Sequence, residues 1–213
     1  MTKVLVVGAS RGIGLETVKC ALNGGHKLRA FARSASSIPV NHPNLEKVTG
    51  DALDFGAIRQ ALTGMDVVIQ TLGVDFSPHI IFRGTHLFSI GTRVLVSAME
   101  ESGVRRLISV TGLGAGNSRD RGGFLYNLAF RLFVDRIYSD KDAQEWIIRK
   151  SRLKWVIARP AVLTNGPRTN NYRVLVQPQE WRAGFISRAD VANFLVRQIN
   201  DDSLLGQTPV LIG

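Results

Sequence analysis

The stretch GASRGIG, residues 8 to 14, places glycines at positions 8, 12 and 14 between a short apolar run, VLVV, and a segment with Ile13, Leu15, Val18, Ala21 and Leu22 at helical spacing. A strand that turns on glycines into a helix aims backbone N–H groups and the positive end of the helix dipole at one point, which suits a phosphate. Gly8 permits the tight turn, while Gly12 and Gly14 permit close approach of the phosphate and of the strand to the helix. The expected cradle is Gly8, Ser10, Arg11, Gly12, Ile13 and Gly14.

A second group of residues decides which anion. Where a dinucleotide carries a bare ribose, a carboxylate at the end of the second strand accepts from the 2′-OH. Here that strand ends AFARS, with Arg33 followed by Ser34, Ser36 and Ser37. A guanidinium fork with hydroxyl donors suits a 2′-phosphate, and Arg11 can reach the same group from the glycine turn. NADP(H) is therefore the expected cofactor, with two solvated surface arginines as the competing reading.

These residues need a scaffold, and apolar runs alternate with helical periods along the whole chain. KVLVV, KLRAFAR, LEKVTGD, DVVIQTLG, VRRLISVTG, LKWVIARP and TPVLI read as strands. Helices are expected after the glycine turn, over DFGAIRQALTG, from Ile81 to Ser102, within FLYNLAFRLFVDRIYSDKDAQEWIIRKS, and over SRADVANFLVRQIN with Ser187 as cap. The pattern predicts an α/β fold: a Rossmann-like, doubly wound, mostly parallel sheet flanked by helices on both faces. One domain, residues 1–213, is expected, with small substrate-side elements at about 161–187 that include one short strand.

GASRGIG has G-x-x-x-G-x-G spacing, and with Gly50-Asp51, Leu72-Gly73, SVTGLGAG, IARPAVLTNGP and ISRADVA in this order it resembles the short-chain dehydrogenase/reductase superfamily. The order is similar to that of its atypical NAD(P)H-binding members, the group of biliverdin reductase B/flavin reductase and the nitrogen-metabolite-repressor-like proteins. The resemblance implies that Asp51, or the backbone N–H of Ala52, meets the adenine edge. Asp51 as the amino cap of the next helix is the structural alternative. Leu72 and Gly73 stand where the adenine ribose and pyrophosphate would pass, with a simple turn as the plain alternative for Gly73.

Many superfamily members use a Tyr-x-x-x-Lys pair with a serine or threonine after strand five. This chain offers Thr111, Tyr138 and Lys141, with one residue fewer between tyrosine and lysine than that motif has. The resemblance implies that Lys141 stands near the nicotinamide ribose and Thr111 near the substrate. Pro160 ends strand six, where the carboxyl edge of a parallel sheet faces ligand, so its neighbours' backbone groups are expected near the nicotinamide carboxamide. An ordinary helix-surface lysine, a strand-end threonine and a strand-terminating proline are the plain alternatives. Asp140 or Glu145 is expected in a surface or helix–helix ion pair, and Arg188 and Asp190 are expected to tie the last helix to the sheet.

Composition removes other classes. With 213 residues, 45% of them hydrophobic, the chain can bury a core. The net charge of +10 is scattered, without a nucleic-acid-binding signature. His26, His42, His79 and His86 lack metal-ligand spacing, so no metal is expected. There is no hydrolase elbow or Walker lysine. Cys20 is the single cysteine, which agrees with a reducing, cytoplasmic setting. The apolar residues Phe124, Leu125, Leu128, Leu132 and Phe133 read as core or lid rather than as a membrane helix.

The expected function is an NADPH-dependent reductase of a small to medium planar acceptor such as a flavin, quinone or tetrapyrrole. Its partner is then a small molecule, with neither nucleic acid nor membrane, acting as monomer or homodimer. A non-catalytic NADP(H)-binding sensor is the alternative. The short segment after Pro160 argues against a sugar-nucleotide epimerase or dehydratase.

Overall fold

The structure is a computed structural model that describes residues 1–74, 85–118 and 135–213. The start of the helix expected from Ile81, His79, and the apolar residues between Phe124 and Phe133 lie outside the described residues.

The valine- and leucine-rich runs form strands β1 (Lys3–Val7), β2 (Lys27–Ala32), β3 (Leu45–Thr49), β4 (Val67–Gln70), β5 (Arg106–Val110) and β6 (Lys154–Pro160). Three short strands follow, β7 (Val162–Thr164), β8 (Arg173–Leu175) and β9 (Phe185–Ser187), and then β10 (Val210–Ile212). The main sheet runs β3-β2-β1-β4-β5-β6-β10-β8, parallel except for β8. The chain winds outward from β1 to β3, then restarts at β4 on the other side of β1. Ligands of such sheets bind at this reversal, at the carboxyl ends of the strands.

Helices α1 (Gly12–Asn23), α2 (Phe55–Leu62), α3 (Leu87–Ser102), α4 (Asp135–Lys150) and α5 (Arg188–Arg197) cover both faces. Alternation along β1 separates the two cores. Val4 and Val6 join Val18 and Ala21 of α1 and Val191 and Leu195 of α5. Leu5 and Val7 join Ile58 and Leu62 of α2, Leu95 and Met99 of α3, and Ile148 of α4. Full burial of each such side chain contributes about 1.5–3 kcal/mol, so β1 anchors both cores at once.

Several local expectations need correction. The cap of α2 is Asp54, which accepts from the Ala57 N–H at 3.1 Å, whereas Asp51 accepts from the Leu53 N–H one turn earlier at 3.0 Å. Both aspartates precede the same helix, and only the backbone decides which one caps it. The region expected to hold one short strand holds three: β7 and β9 pair in a separate parallel ribbon, while β8 runs antiparallel to β10. Three-residue strands are too short to show a period. Asp190 ties α5 to a loop as well as to Ser187 at the end of β9, whose hydroxyl donates to it at 2.9 Å. It accepts from the Thr169 and Asn170 N–H groups at 2.8 and 2.9 Å and from the Thr169 hydroxyl at 2.9 Å. Burial works against that carboxylate, yet the hydrogen bonds from Asn170, Ser187 and Thr169 hold its pKa below the usual value.

Candidate active site

The glycine turn is built so that backbone takes the place of side chains. Gly8 has φ +89°, and a Cβ on it would stand 2.7 Å from the Thr71 carbonyl oxygen of the neighbouring strand end. A Cβ on Gly14 would stand 2.1 Å from the Gly8 carbonyl oxygen. The turn, the first turn of α1 and the end of β4 are thus in backbone contact. Arg11 precedes α1 without giving its side chain as a cap, and no acidic residue occupies the first turn. The positive end of the helix dipole therefore faces the cleft without a carboxylate from its own helix. Gly14→Ala should force this junction apart, at about 1–3 kcal/mol, and abolish dinucleotide binding. Thermal melting and a binding titration on the variant check both effects.

A cavity of about 570 Å³ lies over the turn. Its wall includes Gly8, Ser10, Arg11, Gly12 and Ile13 from the turn, Arg33 and Ser34 beyond β2, and Asp51 and Ala52 beyond β3. Leu72 and Gly73 line it beyond β4, and Thr111, Tyr138, Lys141 and Pro160 line its far end. Gly14 stands behind the wall, where its backbone lets Gly8 approach. Arg188 was assigned by sequence to structure, yet it also lines the cavity. Arg11, Arg33, Lys141 and Arg188 face it against Asp51, so its field suits a polyanion. A glycine turn whose packing leaves no room for a Cβ at Gly8 or Gly14, cations and a ligand-sized volume together fit a phosphorylated dinucleotide.

At the far end, the Lys141 ammonium donates to the Thr111 carbonyl oxygen and lies 4.9 Å from the Phe88 ring centroid and 5.4 Å from that of Tyr138. Burial lowers its pKa to about 8, with Glu145 and Asp140 working in the opposite direction. Tyr138 and Lys141 share the cavity-facing side of α4, as i,i+3 spacing allows. The Tyr138 hydroxyl is lodged against Gly112, where a Cβ would stand only 2.6 Å from it.

Three sequence expectations change here. The Thr111 hydroxyl, expected to face substrate, donates to Glu145 Oε1 at 2.8 Å inside the protein. Glu145, expected at a surface or helix–helix pair, is 1% exposed and receives Arg159 through Nε at 2.9 Å and Nη2 at 2.6 Å. Asp140 is buried and accepts from the Phe88 and Ser89 N–H groups at 2.8 and 3.2 Å, capping α3 from α4. In each case a partner remote in sequence takes the polar group out of solvent. The charge of Arg159 beside a strand-ending proline was the only hint of the buried pair that the sequence carried.

Residues 8–202 match the profile of a family described as NAD(P)H-binding. The chain is 27% identical to ChuY of Escherichia coli O157:H7, described as an anaerobilin reductase, with TM-score 0.80 over 99% of this chain and 97% of that one. It is 31% identical over 128 residues to a 3-beta-hydroxysteroid dehydrogenase of Mycolicibacterium neoaurum, matching 57% of this chain and 34% of that protein. It thus spans about a third of the length of such curated relatives. A short-chain dehydrogenase/reductase of Veillonella parvula, solved in complex with NADP, shares the fold at TM-score 0.82 and 18% identity over 100% of this chain and 94% of that one.

Proposed function

Because the chain belongs to the NAD(P)H-binding family of atypical short-chain dehydrogenases/reductases, we propose that it is an NADPH-dependent reductase of a small to medium planar acceptor of flavin, quinone or tetrapyrrole type. The observation that carries the cofactor choice is Arg33, which follows β2 and lines the same cavity as the glycine turn, where an NAD-selective site would place a carboxylate. Ser34 beside it adds a hydroxyl, and Arg11 faces the cavity from the turn. Asp51 and Ala52 would meet the adenine half, and Pro160 and Lys141 the nicotinamide half.

Bound nicotinamide would supply the hydride, which leaves the protein to orient the acceptor and supply a proton. Lys141 is the group suited to that proton, because its amine lines the cavity and is held by the Thr111 carbonyl oxygen. Phe88 and Tyr138 bracket the amine with ring faces, and Leu87, Val110 and Leu163 extend an apolar wall. Such a wall favours a flat, partly apolar acceptor over a sugar. The likeness to ChuY, described as an anaerobilin reductase, supports a tetrapyrrole within that class. A soluble, cytoplasmic setting is part of the proposal; among the described residues no helix is long and apolar enough to cross a membrane.

The test is NADPH oxidation with a panel of flavins, quinones, linear tetrapyrroles and simple carbonyls. Turnover of a planar acceptor is expected; tight NADPH binding with no turnover across the panel would leave the sensor reading in its place. Arg33→Asp should weaken NADPH binding by about 10- to 100-fold, the worth of a charge-assisted hydrogen bond, and leave NADH binding equal or tighter. A fluorescence titration with both cofactors measures the ratio.

A further inference from the structure

We propose that Arg188, the first residue of α5, is the side chain that holds the pyrophosphate of the dinucleotide against the glycine turn, a role distinct from that of Arg33. This rests on the cavity being a dinucleotide site. Gly12 marks the place: it is the first residue of α1, where the helix dipole and backbone N–H groups make the natural seat for a bridging diphosphate. The atoms that a Cβ on Gly12 would meet within 4 Å are Arg188 Nε at 3.8 Å and Arg188 Cδ at 3.9 Å. The guanidinium therefore lies beside the turn, carried by α5, which packs against α1 on the same face of the sheet, and Arg188 shares the cavity wall with Gly12, Ile13 and Leu163.

The arginine is aimed, and it retains donors. Its Nη1 donates to Asn165 Oδ1 at 2.8 Å, and among the described residues it forms no ion pair. A guanidinium carries five N–H donors and cannot lose its charge, so the geometry leaves donors for two phosphate groups. Its backbone is fixed as well. Ser187 caps α5 by accepting from the Asp190 N–H at 3.0 Å, and Asp190 pins the Thr169–Asn170 turn.

Dipole and backbone groups at the α1 end supply only partial charge, while Arg188 supplies a full one from the carboxyl-terminal part of the chain. Dinucleotide binding would then bridge the β1–α1 turn to the β9–α5 junction, and through Asn165 to the loop following β7. Arg11 and Arg33 would serve the 2′-phosphate, so the bridging diphosphate and the 2′-phosphate of the cofactor are read by different arginines.

Binding constants of wild type, Arg188→Ala, Arg188→Gln and Arg33→Ala for NADPH, NADH and 2′-AMP test this. The Arg188 variants should weaken NADPH and NADH by one common factor, about tenfold or more, and leave 2′-AMP unchanged. Arg33→Ala should weaken NADPH and 2′-AMP and spare NADH. Glutamine keeps a donor for Asn165 while removing the charge, so loss of binding in a variant that melts like wild type cannot be assigned to unfolding. Undiminished dinucleotide binding by Arg188→Gln, or loss of 2′-AMP along with it, would overturn the inference alone. Wild-type protein that binds neither dinucleotide would overturn the cofactor reading and the inference together.

Discussion

Glu145→Ala should lower the melting temperature by about 10 °C, the largest stability loss expected of a single side chain near the cleft. The Glu145 carboxylate accepts from Arg159 Nε and Nη2 and from the Thr111 hydroxyl, and Arg149 approaches it at 3.4 Å. Arg159 is fully buried, with its guanidinium 5.1 Å from the Trp181 ring. Alanine would leave that guanidinium buried without a counter-charge, which costs about 3–5 kcal/mol. For a chain of this size each kcal/mol corresponds to about 2–4 °C. The pair also fixes the loop beyond β5: a Cβ on Gly116 would stand 2.5 Å from Glu145 Oε2 and 2.6 Å from Arg159 Nη2.

The control is the double variant Glu145→Leu/Arg159→Met. Replacing both partners with apolar groups leaves no stranded charge, so much of the loss should return. Thermal melting by circular dichroism compares the three proteins. A double variant no more stable than Glu145→Ala would show that shape, and not the buried charge, sets the loss.

What the sequence revealed and what it hid divide along sequence distance. The turn of Gly8, Gly12 and Gly14 was legible because strand, turn and helix are consecutive and each glycine answers a local steric need. Arg33 was legible because a strand end is a fixed place in this fold. Tyr138 and Lys141 were found as a pair because helical spacing puts them on one side. By contrast, Asp140 caps a helix start 52 residues before it. Arg188 stands beside Gly12 only because α5 packs against α1, from a segment remote in sequence whose capped-helix signature already accounts for its residues. The Thr111–Glu145–Arg159 cluster joins a strand end, a helix and another strand end, and no spacing rule links them. Local rules find the elements and the cradle; tertiary packing decides which way a polar side chain turns. Thr111 illustrates this, since it follows β5 and lines the cavity while its hydroxyl points at a buried carboxylate.

Lys141→Met should cut the turnover number by about 10²- to 10⁴-fold, the usual contribution of a positioned proton donor, with a smaller effect on NADPH affinity. The amine lies between the Thr111 carbonyl oxygen, the Phe88 ring and the Tyr138 ring, with the Asp140 and Glu145 carboxylates on its own helix. Burial sets its pKa near 8, so the ammonium form predominates at neutral pH and can give up a proton readily. The rate should be level below that value and fall as pH rises through about 8. Lys141→Arg, charged throughout, should lack this alkaline limb. A Lys141→Met protein that keeps both the rate and the limb would exclude Lys141 as the donor and direct attention to Tyr138.

Stability separates this effect from a folding defect. A lysine pKa lowered from 10.5 to about 8 means that, between those values, the unfolded chain binds more protons than the folded one, so stability rises with pH across that window. Below about pH 8 the charged amine stays buried at a cost, and methionine relieves it. Lys141→Met should therefore melt no lower than wild type at neutral pH, and wild type should gain on it as the pH is raised. Loss of turnover in a variant with that melting behaviour assigns the lysine to chemistry rather than to the fold.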